Sequence, residues 1–114
     1  MNNVEKGRQG EEAVRRYLIE KGYRILERNF RFHHREVDII AVKGDTLVFV
    51  EVKFRGRGDF GQGAEAVTDM KKRNIISVAR YYIHKKGLNE LNVRFDVASL
   101  DGAVLDYFEN AFHA

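Results

Sequence analysis

The sequence predicts an α/β fold: one domain over residues 1–114, with a central mixed sheet flanked by helices, in the order helix, three strands, helix, two strands. Three observations predict it. Helical periodicity runs over residues 3–21 and again over 65–86. Strand-like segments fill the stretch between those two and the stretch after them. Residues 47–54 are apolar on both faces, the pattern of a strand covered on both sides.

In the first helix, Val4, Val14, Tyr17 and Leu18 lie on one stripe, with charged residues elsewhere. Glu11 falls on the line of Val4 and Leu18, whereas Glu12 is rotated about 100° away. Glu11 is therefore expected to point toward the sheet. Tyr23 to Phe32 supplies the first strand. The next two form a hairpin through Gly44-Asp45, since glycine in first position suits a two-residue type II′ turn. Counting back from that turn sets Lys43 against Thr46, Ile40 against Phe49, Asp38 against Glu51 and Glu36 against Lys53. Opposed residues share a face, and like charges so placed are destabilising.

After a glycine-rich segment at 56–63, the second helix carries Val67, Ile75, Val78, Ala79 and Tyr82 at helical spacing, with Lys71 on the same inward stripe. Gly87 is a natural stop. Val93, Phe95, Val97 and Ser99 alternate with Arg94, Asp96 and Ala98, which reads as a half-buried strand. Asp101-Gly102 then turns the chain into a last strand near 103–109.

Ions are seldom buried unless paired or bound to metal, so Asp38, Glu51 and Lys53 inside the most apolar hairpin stand out. The bland reading is a salt-bridge ladder in which Lys53 offsets Glu36 at a sheet edge. The sharper one makes Asp38 and Glu51 hard oxygen ligands for Mg²⁺ or Mn²⁺, whose charge turns repulsion into attraction. Glu11 is then a third carboxylate, and Lys53 stabilises phosphoryl charge or orients a water.

These residues resemble the PD-(D/E)xK nuclease superfamily, with its restriction-endonuclease-like core: Gly10-Glu11 in a first helix, Val37-Asp38-Ile39-Ile40 on one strand and Val50-Glu51-Val52-Lys53 on the next. Within it the chain is most similar to the YraN-like family of uncharacterised bacterial predicted endonucleases. That similarity also takes in Tyr17-Leu18, Gly22-Tyr23, Arg28-Asn29-Phe30, Glu65-Ala66-Val67-Thr68, Lys71 and Arg94-Phe95-Asp96, and so covers nearly the whole chain. The proline of the superfamily's name is replaced by Val37. The spacing from Asp38 to Glu51 resembles that of archaeal Holliday-junction resolvases, a likeness that bears on fold and metal chemistry more than on substrate.

The resemblance implies a metal-dependent endonuclease acting on nucleic acid, with structured or branched DNA as the expected substrate. Mg²⁺ or Mn²⁺ is expected on Asp38, Glu51, the Val52 carbonyl and Glu11, with Lys53 as the catalytic cation and Lys71 as an auxiliary phosphate contact. The alternative is a catalytically inactive nucleic-acid-binding or partner-binding module on the same fold.

Composition is compatible with this. The net charge is +3, and its distribution matters more than its size. Arg31, His33, His34 and Arg35 precede the Asp38 strand, while Arg55 and Arg57 follow the Glu51 strand, so both groups are expected at the carboxylate end of the sheet, where a phosphate backbone approaches. Lys72 and Arg73 read as solvated charge. His33 and His34, on two faces of a strand, would point apart rather than at one metal. Gly56-x-Gly58-x-x-Gly61 has the spacing of a dinucleotide fingerprint, but an antiparallel hairpin before it lacks the required βαβ unit. With no cysteine, thiolate sites and disulfides are excluded. No apolar leader or membrane-length run is present, so a cytoplasmic protein is expected. A homodimer is expected if two phosphodiester bonds must be cut, with Tyr107, Phe108 and Phe112 either at such a contact or capping the core.

Overall fold

The computed structural model describes residues 3–55 and 67–114. Its elements are α1 (Asn3–Glu20), β1 (Arg24–Phe32), β2 (Arg35–Lys43), β3 (Thr46–Phe54), α2 (Asp69–Lys86), β4 (Asn92–Asp101) and β5 (Val104–Phe112). The strands form one mixed sheet in the order β1-β2-β3-β4-β5. Every neighbouring pair is antiparallel except β3 and β4, which run parallel because α2 carries the chain across between them.

Side-chain alternation along β3 divides the core between two helices. Leu47 and Phe49 face α2, against Ile75, Val78, Ala79 and Tyr82. Val48, Val50 and Val52 face α1, against Val14 and Leu18. Both faces of the middle strand are thus covered, and Leu47 through Val50 are each fully buried. Full burial of such side chains contributes about 1.5–3 kcal/mol apiece, so β3 is the most heavily anchored strand. The charges that interrupt it sit on a rigid base. No helix among the described residues is long and apolar enough to cross a membrane.

Several boundaries differ from the sequence expectation. The second helix begins at Asp69 rather than 65, because Thr68 adopts an extended backbone and its hydroxyl accepts the Lys71 N–H, an N-cap. Gly87 ends it at φ 66 as expected. The strand at 93–99 is not half-buried: from Phe95 to Leu100 β4 is buried on both faces, since it lies inside the sheet between β3 and β5. Asp96 therefore points into the protein, not out of it. The last strand runs on to Phe112, whose ring stacks on Phe95, while Tyr107 stacks on Tyr17. His33 and His34 form the turn between β1 and β2 instead of continuing a strand. The segment 56–63 and Arg57 lie outside the described residues.

Candidate functional site

Lys43 pairs with Thr46, Val42 with Leu47 and Ile40 with Phe49, which is the counted register. Gly44 takes φ 60 and Asp45 does not follow it into the left-handed region, as a II′ turn requires. Pairing then stops at Ile39 and Val50. The expected backbone ladder of Asp38 against Glu51 and Glu36 against Lys53 does not form. Instead the Val52 N–H donates to Asp38 Oδ2 at 2.7 Å, so a side-chain carboxylate takes the place of a strand carbonyl.

The irregularity extends into β1. Asn29, between the pairs Arg28–Ile39 and Phe30–Val37, takes φ 52, a backbone that asparagine tolerates better than most residues. Side-chain alternation resets at Asp38, with Val37 and Ile40 on the α2 side and Ile39 and Ala41 on the α1 side. Period-two counting fails at this point because it presumes an unbroken strand.

At the splayed end, Asp38 and Glu51 nevertheless face each other. Glu51 is only 8% exposed. Burial first, and then the neighbouring Asp38, hold its carboxyl well above the usual carboxylate range, while Lys71 pulls in the opposite direction. Lys71 Nζ lies 3.6 Å from Glu51 Oε2, and buried Glu51 Oε1 has no hydrogen-bond partner. The ladder in which Lys53 offsets Glu36 is absent: Glu36 pairs with Arg31 at 3.3 Å, and among the described residues Lys53 makes no ion pair.

Glu11 reaches the same region from α1. Gly10 lets the helix approach that closely, since a Cβ there would overlap the Phe54 ring and lie 2.8 Å from Leu100 Cδ1. Glu11 Oε1 accepts from Asn29 Nδ2 at 3.0 Å. Its carboxyl is raised by burial, with the Asn29 bond lowering it and Asp38 raising it further. Glu12 instead turns to Arg15 at 2.5 Å and Arg28 at 3.6 Å. No three His, Cys, Asp or Glu side chains gather around one point among the described residues. The inner donor set is therefore the Asp38–Glu51 pair, with Glu11 beside it on Asn29.

Because β2 and β3 are antiparallel, the start of one and the end of the other share this edge. Arg31 is there on Glu36, and Arg35 Nη1 donates to Ser77 Oγ at 2.9 Å. Arg55 Nη2 lies 3.0 Å from Asp106 Oδ2, and its N–H donates to the Leu100 carbonyl. A groove lies elsewhere, along α1 between Arg8, Arg16 and Arg28.

Three features escaped the sequence reading. Asn29 is one: Arg28-Asn29-Phe30 figures in the family resemblance, but nothing there gave it a role. Ser99, the cross-strand neighbour of Lys53, is fully buried with an unpartnered hydroxyl. The third is the network on Asp96, which accepts from Arg94 at 2.9 Å, Tyr107 Oη at 2.6 Å and the Asn110 N–H at 2.9 Å. Arg94 also donates to the Tyr23 hydroxyl.

Fold and site together define a mixed α/β protein with an under-neutralised carboxylate pair at a splayed strand end. The chain belongs to the uncharacterised protein family UPF0102, whose family model matches residues 10–100. It is 50% identical over 97 residues to a UPF0102 protein of Clostridioides difficile (strain 630), covering 85% of each chain. A UPF0102 protein of Dictyoglomus turgidum is 42% identical, with 98% of this chain and 100% of the relative covered. One of Dictyoglomus thermophilum is 45% identical over the same shares.

Proposed function

We propose that this chain is a metal-dependent endonuclease with a restriction-endonuclease-like core, hydrolysing phosphodiester bonds in nucleic acid, with branched DNA as the first substrate to try. The observation that carries the reading is Glu51, a buried carboxylate facing a second carboxylate, with one oxygen lacking any donor. Such a pair is costly by itself and is relieved by a divalent cation. The resemblance in the motifs supports the same reading, as does the order of three antiparallel strands followed by a helix crossing to a parallel strand.

The residues fit the ion. Asp38 and Glu51 are hard oxygen donors and would hold it directly, the Val52 carbonyl would add a further oxygen, and Glu11 would act through a water. Bound there, Mg²⁺ or Mn²⁺ supplies Lewis acidity toward a phosphoryl oxygen and acidifies a water. Lys53 follows Glu51 by one side-chain repeat, orients the attacking water and donates to the phosphoryl oxygens as negative charge builds on them. Arg31, Arg35 and Lys71 take phosphates on either side, contacts that position the backbone without reading sequence.

The test is Mg²⁺-dependent cleavage of junction, flap, single-strand and duplex DNA and RNA by the wild type, Asp38→Asn and Lys53→Ala. Both variants are expected to lose roughly 10²-fold or more of the rate, the scale of removing one preorganised electrostatic group. Equal cleavage by all three proteins overturns the assignment. Metal uptake by the wild type without cleavage of any substrate leaves a binding module.

A further inference from the structure

Granted the carboxylate site proposed above, something must neutralise it before an ion arrives. We infer that Lys71 is the resident countercation of the metal-free protein, standing in for the divalent ion on Glu51 and exchanged out of the site when the ion binds. Among the described residues it is the only cation within 4.0 Å of either Asp38 or Glu51. The other charges nearby are otherwise engaged or make no ion pair: Glu36 is on Arg31, Glu11 on Asn29, Arg35 on Ser77, and Lys53 pairs with nothing described.

The contact has the character of a replaceable one. At 3.6 Å it lies beyond hydrogen-bond range, so it is Coulombic and geometrically undemanding. Lys71 is fixed only through its backbone, whose N–H is held by Thr68 Oγ at 3.1 Å, while its side chain stays 39% exposed. A lysine ammonium is a strongly hydrated point charge on a flexible stem, able to leave for solvent or for a phosphate at little cost. Arg94, at 2.9 Å from Asp96 with several bonds, shows what a permanent partner looks like in the same sheet.

An exchanging countercation makes two effects of opposite sign. Removing Lys71 takes away the ion's competitor and a repulsive neighbour, so divalent affinity rises. It also leaves the metal-free pair unneutralised, so metal-free stability falls. A residue that only supports the site structurally would lower both. A direct ligand-like or phosphate-only role would leave affinity for the bare ion unchanged or weaker.

The experiment is calorimetric titration of the full chain with Mn²⁺ for the wild type, Lys71→Met, Lys71→Gln and Lys71→Arg, with thermal denaturation of each in EDTA. Lys71→Met and Lys71→Gln are expected to bind Mn²⁺ roughly tenfold more tightly, the modest end of what one charge a few ångströms away contributes, and to melt lower without metal. Lys71→Arg keeps the charge and stays near wild type. Binding by the wild type with equal or weaker affinity in both neutral variants overturns the exchange and leaves the metal site standing. No heat from any of the proteins overturns both.

Discussion

Asp38 on β2 and Asp96 on β4 flank the same central strand, and each accepts a backbone N–H from a neighbouring strand: Val52 at 2.7 Å for Asp38, Asn110 at 2.9 Å for Asp96. Each also lies where the ladder breaks beside an asparagine in left-handed backbone, Asn29 at φ 52 and Asn110 at φ 55. From there they diverge. Asp96 is fully buried and collects Arg94 and Tyr107 as well, so its charge is met by a cation and its lone pairs by donors. Asp38 instead confronts Glu51, and the pair has one loose lysine between them and an oxygen with no donor. Breaking a strand around an aspartate thus opens a place for a charge. Whether the place is structural or reactive depends on what the rest of the chain brings to it.

The largest effect expected from this contrast is on Asp96. Asp96→Ala takes from Arg94 its nearest carboxylate, leaving it Glu109 at 3.9 Å, and removes the acceptor for Tyr107 and Asn110; removing one partner of a buried pair costs about 3–5 kcal/mol. Urea denaturation should show a loss of that size at neutral pH. A loss below about 1 kcal/mol, within the range of an ordinary hydrogen bond, would mean that the Asp96 network contributes no more than a surface contact.

Glu51 should behave in the opposite way. Its carboxyl is held above the ordinary glutamate value of 4.5 by burial and Asp38, so above that pH the unfolded chain has released a proton that the native state still binds. The unfolded state then binds fewer protons, and stability falls as pH rises through the window from 4.5 upward until native Glu51 ionises too. Glu51→Gln carries no such proton. In EDTA, the wild type should lose stability relative to Glu51→Gln between acidic and mildly alkaline buffer, and Mg²⁺ should restore the wild type alone. Parallel stability curves for the two proteins would show that Glu51 is already neutralised.

The contrast was legible in the sequence only on one side. Gly44-Asp45 fixes the hairpin, and alternation from it correctly opposes Ile40 and Phe49. It also brings Asp38 and Glu51 to the same end of the sheet, because antiparallel strands leave a tight turn together. The loss of pairing beyond Ile39 was hidden, since there the Val52 N–H goes to the Asp38 carboxylate, a side-chain bond that period-two counting does not see. Lys71 was legible as inward-facing from helical spacing, though its pairing with Glu51 needed the α2 crossover. Asp96 was placed in a half-buried strand because a single strand's alternation does not reveal whether the strand is central. That is set by β3, distant in sequence, on one side and by β5, the hairpin partner that follows β4, on the other.

The smallest effect separates the two asparagines. Asn110 serves Asp96 through its backbone N–H, whereas Asn29 serves Glu11 through its side-chain amide. Glycine adopts left-handed backbone at no steric cost, so Asn110→Gly keeps what that site uses and Asn29→Gly removes it. Alanine at position 29 loses the amide and also strains the backbone by about 1–2 kcal/mol. Asn29→Gly should therefore be more stable than Asn29→Ala, yet both should weaken Mn²⁺ binding several-fold while Asn110→Gly leaves it unchanged. Wild-type Mn²⁺ affinity in Asn29→Gly would show that the amide's hold on Glu11 is incidental.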